Sequence, residues 1–139
     1  MKVKDIMTKN LITCESDCSI HQISQKMKEF DIGFMIITKK NKLEGIITDR
    51  DIVIEMIVNY DHKVNDYLHK IVQTIDQEET IENALQIMKN KKIKRLIVTS
   101  QTKIVGVISI SDILNKTKET NKLLDTLKSI YSIEKNIDE

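Results

Sequence analysis

The feature that most constrains this chain is that it repeats itself. Residues 3–53 align without a gap onto residues 64–114 at an offset of 61, and sixteen of the 51 pairs are identical. Gly45/Gly106, Asp51/Asp112, Ile20/Ile81 and Met27/Met88 are examples. A repeat of this length reads as a supersecondary unit used twice, and such a unit does not bury its apolar face alone. The 139 residues therefore divide into repeat one (3–53), a connection (54–63), repeat two (64–114) and a tail (115–139).

Both repeats share one internal order. Ser19 and Thr80 stand one residue before an apolar-periodic run, the position of a helix N-cap. Ile20, Ile23, Met27 and Phe30 then recur at helical spacing, as do Ile81, Ala84, Leu85 and Met88. A β-rich run follows, Phe34–Thr38 or Leu96–Thr99, then a polar turn and a second strand, Leu43–Thr48 or Ile104–Ser109. A polar cluster ending in Asp51 or Asp112 opens a second helix. A short extended piece near Ile12-Thr13 or Gln73-Thr74 precedes the first helix. The expected fold is α/β (α+β): β-α-β-β-α units packed with pseudo-two-fold symmetry. Continuous runs such as Ile104–Ile108 suggest strands buried on both faces. Packing of the two copies is expected to leave equivalent clefts between them, suited to a small ligand.

Composition narrows the function. Twenty-two basic residues against 21 acidic give a net charge of +1, without the positive excess of a nucleic-acid-binding module. Three scattered glycines form neither a Walker loop nor a G-x-G-x-x-G turn. No stretch approaches the roughly 20 apolar residues of a membrane span. The N-terminus lacks the apolar core of a secretion signal, so the expected compartment is the cytoplasm. No Gly-x-Ser-x-Gly elbow is present, and neither cysteine has a base placed by motif, so no catalytic residue is assigned and the chain is expected not to be an enzyme.

The most specific motif is Gly-h-h-Thr/Ser-x-x-Asp, where h is apolar. It occurs as Gly45-Ile46-Ile47-Thr48-Asp49-Arg50-Asp51 and as Gly106-Val107-Ile108-Ser109-Ile110-Ser111-Asp112. Two copies at one offset, each after a hairpin and before a helix, resemble a tandem pair of CBS domains, the module named for cystathionine β-synthase. The resemblance covers residues 3–114. It implies a regulatory sensor that binds adenosine derivatives (AMP, ADP, ATP or S-adenosylmethionine) in clefts to which both repeats contribute; the competing reading is a non-catalytic dimeric interaction module with empty clefts that docks onto a partner enzyme or transporter. It further implies that the motif Asp accepts from ribose hydroxyls and that the Thr or Ser reaches ribose or phosphate. One cleft would use Thr48, Arg50 and Asp51 with Tyr67, Leu68, Val72, Arg95 and Leu96. The other would use Ser109 and Asp112 with Ile6, Met7, Leu11, Ile12, Phe34 and Met35, plus Lys94 near the phosphate.

The chemistry of these residues supports the reading independently. A carboxylate is a double acceptor suited to a diol, a helix N-terminus offers N–H groups to a phosphate, and arginine grips phosphate bidentately. Capping of the following helix is the competing role for Asp51, Asp112, Thr48 and Ser109. A structural bond is the competing role for Arg95, and a solvated position that for Arg50.

The pattern departs from the family in two respects. The chain has no proline, and Ser111 stands where repeat one has Arg50. The clefts are therefore expected to differ, with the phosphorylated ligand at Arg50.

Cys14 and Cys18 are expected to be free thiols. A thiophilic site with His21 is the competing reading, and His62 and His69 match no ligand spacing. No metal site and no cofactor beyond the adenine-nucleotide ligand is assigned. In the tail, Leu123, Leu127, Ile130, Ile133 and Ile137, with Leu124 beside them, form one helical stripe. It can cover its own domain or join two subunits. By family analogy the expected partners are a second copy, as a homodimer, and an unidentified effector protein, with neither nucleic acid nor membrane.

Overall fold

A computed structural model describes residues 1–58, 72–118 and 120–131. The chain forms two compact units. Ile12–Val72 make one, and Met1–Leu11 with the chain from Gln73 onward make the other. The units do not follow the repeat boundaries, because the first eleven residues fold with repeat two.

In the unit of repeat one, β1 (Thr13–Glu15), β2 (Phe34–Lys39) and β3 (Lys42–Thr48) form a three-stranded sheet in that order. β1 runs parallel to β2, and β2 antiparallel to β3. The extended piece expected before the first helix is thus a true strand. Lys40 and Asn41 join β2 to β3 with φ of 51° and 64°, the two-residue hairpin geometry that matches strand twist. α2 (Ile20–Phe30) starts where expected, since Gln22 N–H donates to Ser19 Oγ at 3.0 Å and Ser19 N–H to Gln22 Oε1 at 2.9 Å. This reciprocal pair satisfies two orphan donors of the first turn. Ile23 and Met27 join Cys14, Met35, Ile37, Ile47 and Ile52 in the core. Phe30, placed by its spacing on the apolar face, is instead 46% exposed, because it is the last helical residue before the left-handed Asp31. α3 (Asp49–Val58) follows β3.

The second unit repeats this plan at the same offset. β4 (Thr74–Asp76), β5 (Arg95–Ser100) and β6 (Lys103–Ser109) form the sheet, with α4 (Ile81–Lys91) and α5 (Ile110–Lys116) as helices. Thr80 Oγ1 caps α4 by accepting from Asn83 N–H at 3.1 Å, and Ile81, Ala84, Leu85 and Met88 are all buried as their spacing predicts. The strand buried most evenly is the central one, β5, where Leu96–Val98 are covered. β6 is a sheet edge, so Ile104 and Val105 are half-buried and only Gly106–Ile108 are covered. The expectation of a run buried on both faces from Ile104 thus gives way to strand order.

Two further pieces complete this unit. The N-terminal segment, with the short helix α1 (Val3–Ile6), is strapped across it. Val3 N–H donates to Glu79 O at 2.8 Å and Lys4 N–H to Gln77 O at 3.0 Å, while Thr8 and Val107 exchange bonds of 2.8 and 3.0 Å. The Glu78 carboxylate holds Lys2 at 2.6 Å and Lys4 at 2.7 Å, which lowers Glu78 to about 2. The tail forms α6 (Thr120–Ile130), packed on α4. Leu123 is 5% exposed, Asp125 pairs with Lys89 at 2.6 Å, and Ser129 Oγ donates to Lys89 O at 3.0 Å. The tail stripe therefore covers its own domain through Leu123 and, in part, Leu127. Leu124 points outward at 52% exposure, and Ile133 and Ile137 lie outside the described residues.

Candidate functional site

Each motif heptad spans the end of an edge strand and the start of a helix, so its polar residues stand at a strand–helix junction. In repeat two, Ser109 is the N-cap of α5. Its Oγ accepts from Asp112 N–H at 3.1 Å and donates to Asp112 Oδ2 at 3.1 Å, while Ser109 N–H reaches the same oxygen at 3.0 Å. Repeat one matches it. Thr48 Oγ1 accepts from Asp51 N–H at 3.2 Å and donates to Asp51 Oδ2 at 2.5 Å, and Thr48 N–H reaches Oδ2 at 3.3 Å. The capping role weighed for these four residues is therefore realised in both copies. A hydroxyl has one proton to give, so neither can donate to a phosphate without releasing its carboxylate.

The second oxygen of Asp112 is held differently. Oδ1 lies 3.4 Å from Thr8 Oγ1 and 3.5 Å from Lys116 Nζ, longer than strong charge-assisted bonds. The strap brings Ile6 and Met7 to this junction, since Thr8 bonds Val107 and Lys116 Nζ donates to Ile6 O at 3.0 Å. Gly106 is what allows the approach. A Cβ there would meet Met7 Sδ at 2.6 Å and Thr8 O at 2.9 Å, contacts that a backbone carbonyl cannot yield to. Leu11 is half-buried in the same unit. Lys94 stands beside the junction, as its carbonyl accepts from Ile110 N–H at 2.9 Å. Its ammonium lies 4.6 Å from the centre of the Tyr131 ring at the end of α6, a cation–π contact. Thr8 and Lys116 were not legible as site residues, because what places them is pairing across more than a hundred residues.

The junction of repeat one is more acidic. Asp49, where repeat two has Ile110, turns its carboxylate onto Arg50 N–H at 2.7 Å. Asp49 N–H is given to Gly33 O at 2.9 Å, and Asp51 N–H to Thr48. The first three amides of α3 are thus all used internally. Arg50 is exposed at this junction, so a phosphate here would rely on its side chain.

The remaining expected residues fall in several places. Met35 is fully buried in the core of its own unit and Phe34 is half-buried beside it, with Ile12 packed against that core. Leu96 is fully buried in the core of the other unit, where Arg95 is exposed. Val72 is half-buried. Tyr67 and Leu68 lie outside the described residues. Cys14 and Cys18 are free thiols. Among the described residues no three His, Cys, Asp or Glu side chains gather as metal ligands, so Cys14, Cys18 and His21 do not form a three-ligand set. No described helix is long and apolar enough to cross a membrane.

Comparison with known proteins matches these elements. The family model for the CBS domain fits the chain twice, over residues 3–57 and 64–119. The Bacillus subtilis protein YlbB is 26% identical over 126 residues, covering 87% of this chain and 84% of that protein. The Methanocaldococcus jannaschii protein MJ1232 is 36% identical over 115 residues, covering 82% of this chain but only 38% of that protein. Among solved structures, the CBS domain pair of protein MJ0100 in complex with 5′-methylthioadenosine and S-adenosyl-L-methionine superposes with a TM-score of 0.74 at 26% identity, covering 83% of this chain and 94% of that one.

Proposed function

The chain belongs to the CBS-domain family as a tandem pair, and from that premise we propose that it is a non-catalytic regulatory module that binds an adenosine derivative at its Ser/Thr-x-x-Asp junctions. One observation carries the reading. Asp112 gives one oxygen to the helix cap and holds the other only at 3.4 and 3.5 Å, 16% exposed and beside the docked Met7. A ribose diol presents two donors to such an oxygen. The likeness to the MJ0100 domain pair, whose ligands are both adenosine derivatives, supports the same class.

The two junctions favour different ligands. Repeat two, with Lys116 Nζ 3.5 Å from Asp112 and the exposed Lys94 beside the junction, suits either a neutral or an anionic adenosine compound. Repeat one sets the charge of Asp49 against that of Arg50, so a phosphate there depends on the arginine fork. A ligand of this kind regulates only through a difference in its affinity for two states of the protein.

A second copy of the chain is the partner we propose. Val53 (57% exposed), Ile54 and Met56 (51% exposed) on α3, with Phe30 on α2, leave an apolar helical face open in repeat one. A native mass spectrum tests this, with a dimer expected and a monomer at all concentrations contradicting it. Thermal melts with AMP, ADP, ATP, 5′-methylthioadenosine and S-adenosylmethionine at millimolar concentration test the ligand. At least one should raise the Tm, and no shift with any would overturn the reading.

A further inference from the structure

Repeat one carries three residues that repeat two does not share. Cys14, Cys18 and Lys26 correspond at the 61-residue offset to Ile75, Glu79 and Ile87. Repeat two shows what these positions need: Ile75 is buried in its core, Glu79 lies exposed on the turn, and Ile87 packs on the core edge. A cysteine at 14 satisfies the first demand as a small apolar residue. The counterparts Glu79 and Ile87 show that the shared fold requires neither a thiol at 18 nor an ammonium at 26.

The structure brings the three together. Cys14 is the middle residue of β1, paired with Ile37 of β2, and is 2% exposed. The turn that follows folds back, with Cys18 N–H donating to Glu15 O at 3.0 Å. This sets the half-buried Cys18 side chain against the same core, directly before the Ser19 cap of α2. Both side chains therefore sit on the same repeat-one core, Cys14 within it and Cys18 packed against it. Lys26, one turn from the core residue Ile23, lays its ammonium on Thr13 O at 2.9 Å, alongside Cys14. Burial pushes the Cys14 thiol up, the neighbouring Cys18 adds to it, and Lys26 opposes both.

We propose that Cys14 and Cys18 are a redox modification site that closes to an intramolecular disulfide by exchange with a low-molecular-weight disulfide. The half-buried Cys18 thiolate attacks one sulfur of the small disulfide, forming a mixed disulfide and expelling one small thiolate. Cys14 loses its proton to solvent, stabilised by the Lys26 ammonium, and its thiolate attacks Cys18 Sγ. The second small thiol leaves. Two protein thiols are oxidised and one small disulfide is reduced to two thiols. The order follows access, since attack needs a thiolate that the oxidant can reach. The bond would tie the end of β1 to the start of α2. The site stands independently of the ligand reading.

The test uses the full chain, reduced and then incubated without oxygen with glutathione disulfide, quenched in acid, alkylated and weighed intact. The monomer should lose two hydrogens and resist alkylation, with Cys14 joined to Cys18 in the peptide map. Cys14→Val, which restores the apolar packing seen at Ile75, should stop at the mixed disulfide on Cys18, and Cys18→Ala should not react. Closure should be several-fold slower in Lys26→Met and should quicken in the wild type as pH rises towards the raised Cys14 value. Two alkylated thiols in the wild type, a persistent mixed disulfide, or Cys18→Ala reacting like the wild type would each overturn the proposal.

Discussion

The two repeats share a sheet, a cap and a motif, yet differ in what covers their helices. In repeat two, α6 lies on α4 with Leu123 and Thr126 buried, and Lys89–Asp125 and Lys122–Glu82 pairs flank the seam. In repeat one, α2 ends in an exposed Phe30, and α3 shows Val53, Ile54 and Met56 to the outside. Similar amphipathic units therefore differ at the first helix, where α4 is covered by α6 and α2 is not, while both second helices keep exposed apolar residues, Val53, Ile54 and Met56 on α3 and Leu114 on α5, of the kind that marks interaction surfaces. The repeat supplies a shared scaffold, and residues 1–11 and α6, both packed in the unit of repeat two, make the copies unequal.

The comparison breaks most visibly if the cover does not matter. Leu123→Ala should cost about 2–5 kcal/mol in a denaturant melt, the range for a buried leucine that leaves a cavity. A loss below about 0.5 kcal/mol would show that α6 is ornamental. The strap gives the next largest effect. Gly106→Ala drives a Cβ into Met7 and Thr8 and should cost about 1–3 kcal/mol, as overpacking does. Gly33→Ala, whose Cβ meets only the Asp49 carboxylate at 3.1 Å, should cost less because that side chain can move.

The open face gives the opposite result. Val53→Lys with Met56→Lys should leave the fold within about ±0.5 kcal/mol while abolishing the dimer in native mass spectrometry. A monomer destabilised as much as by Leu123→Ala would mean that this face is core. The smallest effect belongs to Glu78. Its carboxyl, held at about 2 by Lys2 and Lys4, is lower when folded than the ordinary 4.5. Its contribution is thus complete above pH 4.5 and lost as pH falls towards 2. Glu78→Gln should remove that part of the acid dependence and change little at neutral pH, because the pairs are exposed and screened.

The unevenness of what the sequence revealed has a physical cause. The Ser19 and Thr80 caps, the core faces of α2 and α4, and the hairpins were legible because each depends on residues within about four positions. The motif aspartates were legible as helix caps for the same reason. The strap was not. Thr8 meets Val107, and Lys116 meets Ile6, only through folding at long range, and the trace they leave is a single glycine, Gly106. Phe30 and Ile104 were misplaced because periodicity shows which face a residue takes but not whether its element ends or lies at a sheet edge.

The central claim is that each motif carboxylate holds an adenosine ligand as well as capping a helix. Isothermal titration of the reduced protein separates the two roles, using Asp51→Asn and Asp112→Asn. An amide oxygen keeps an acceptor for the cap but removes the charge and one of the two acceptor oxygens. The account predicts that the wild type binds at least one of the five adenosine compounds. It predicts that Asp112→Asn lowers affinity at its junction by about 10–100-fold, the range for a hydrogen bond to a charged group, with the Tm of the unliganded protein nearly unchanged. Titration curves for both variants that overlay the wild type would contradict it.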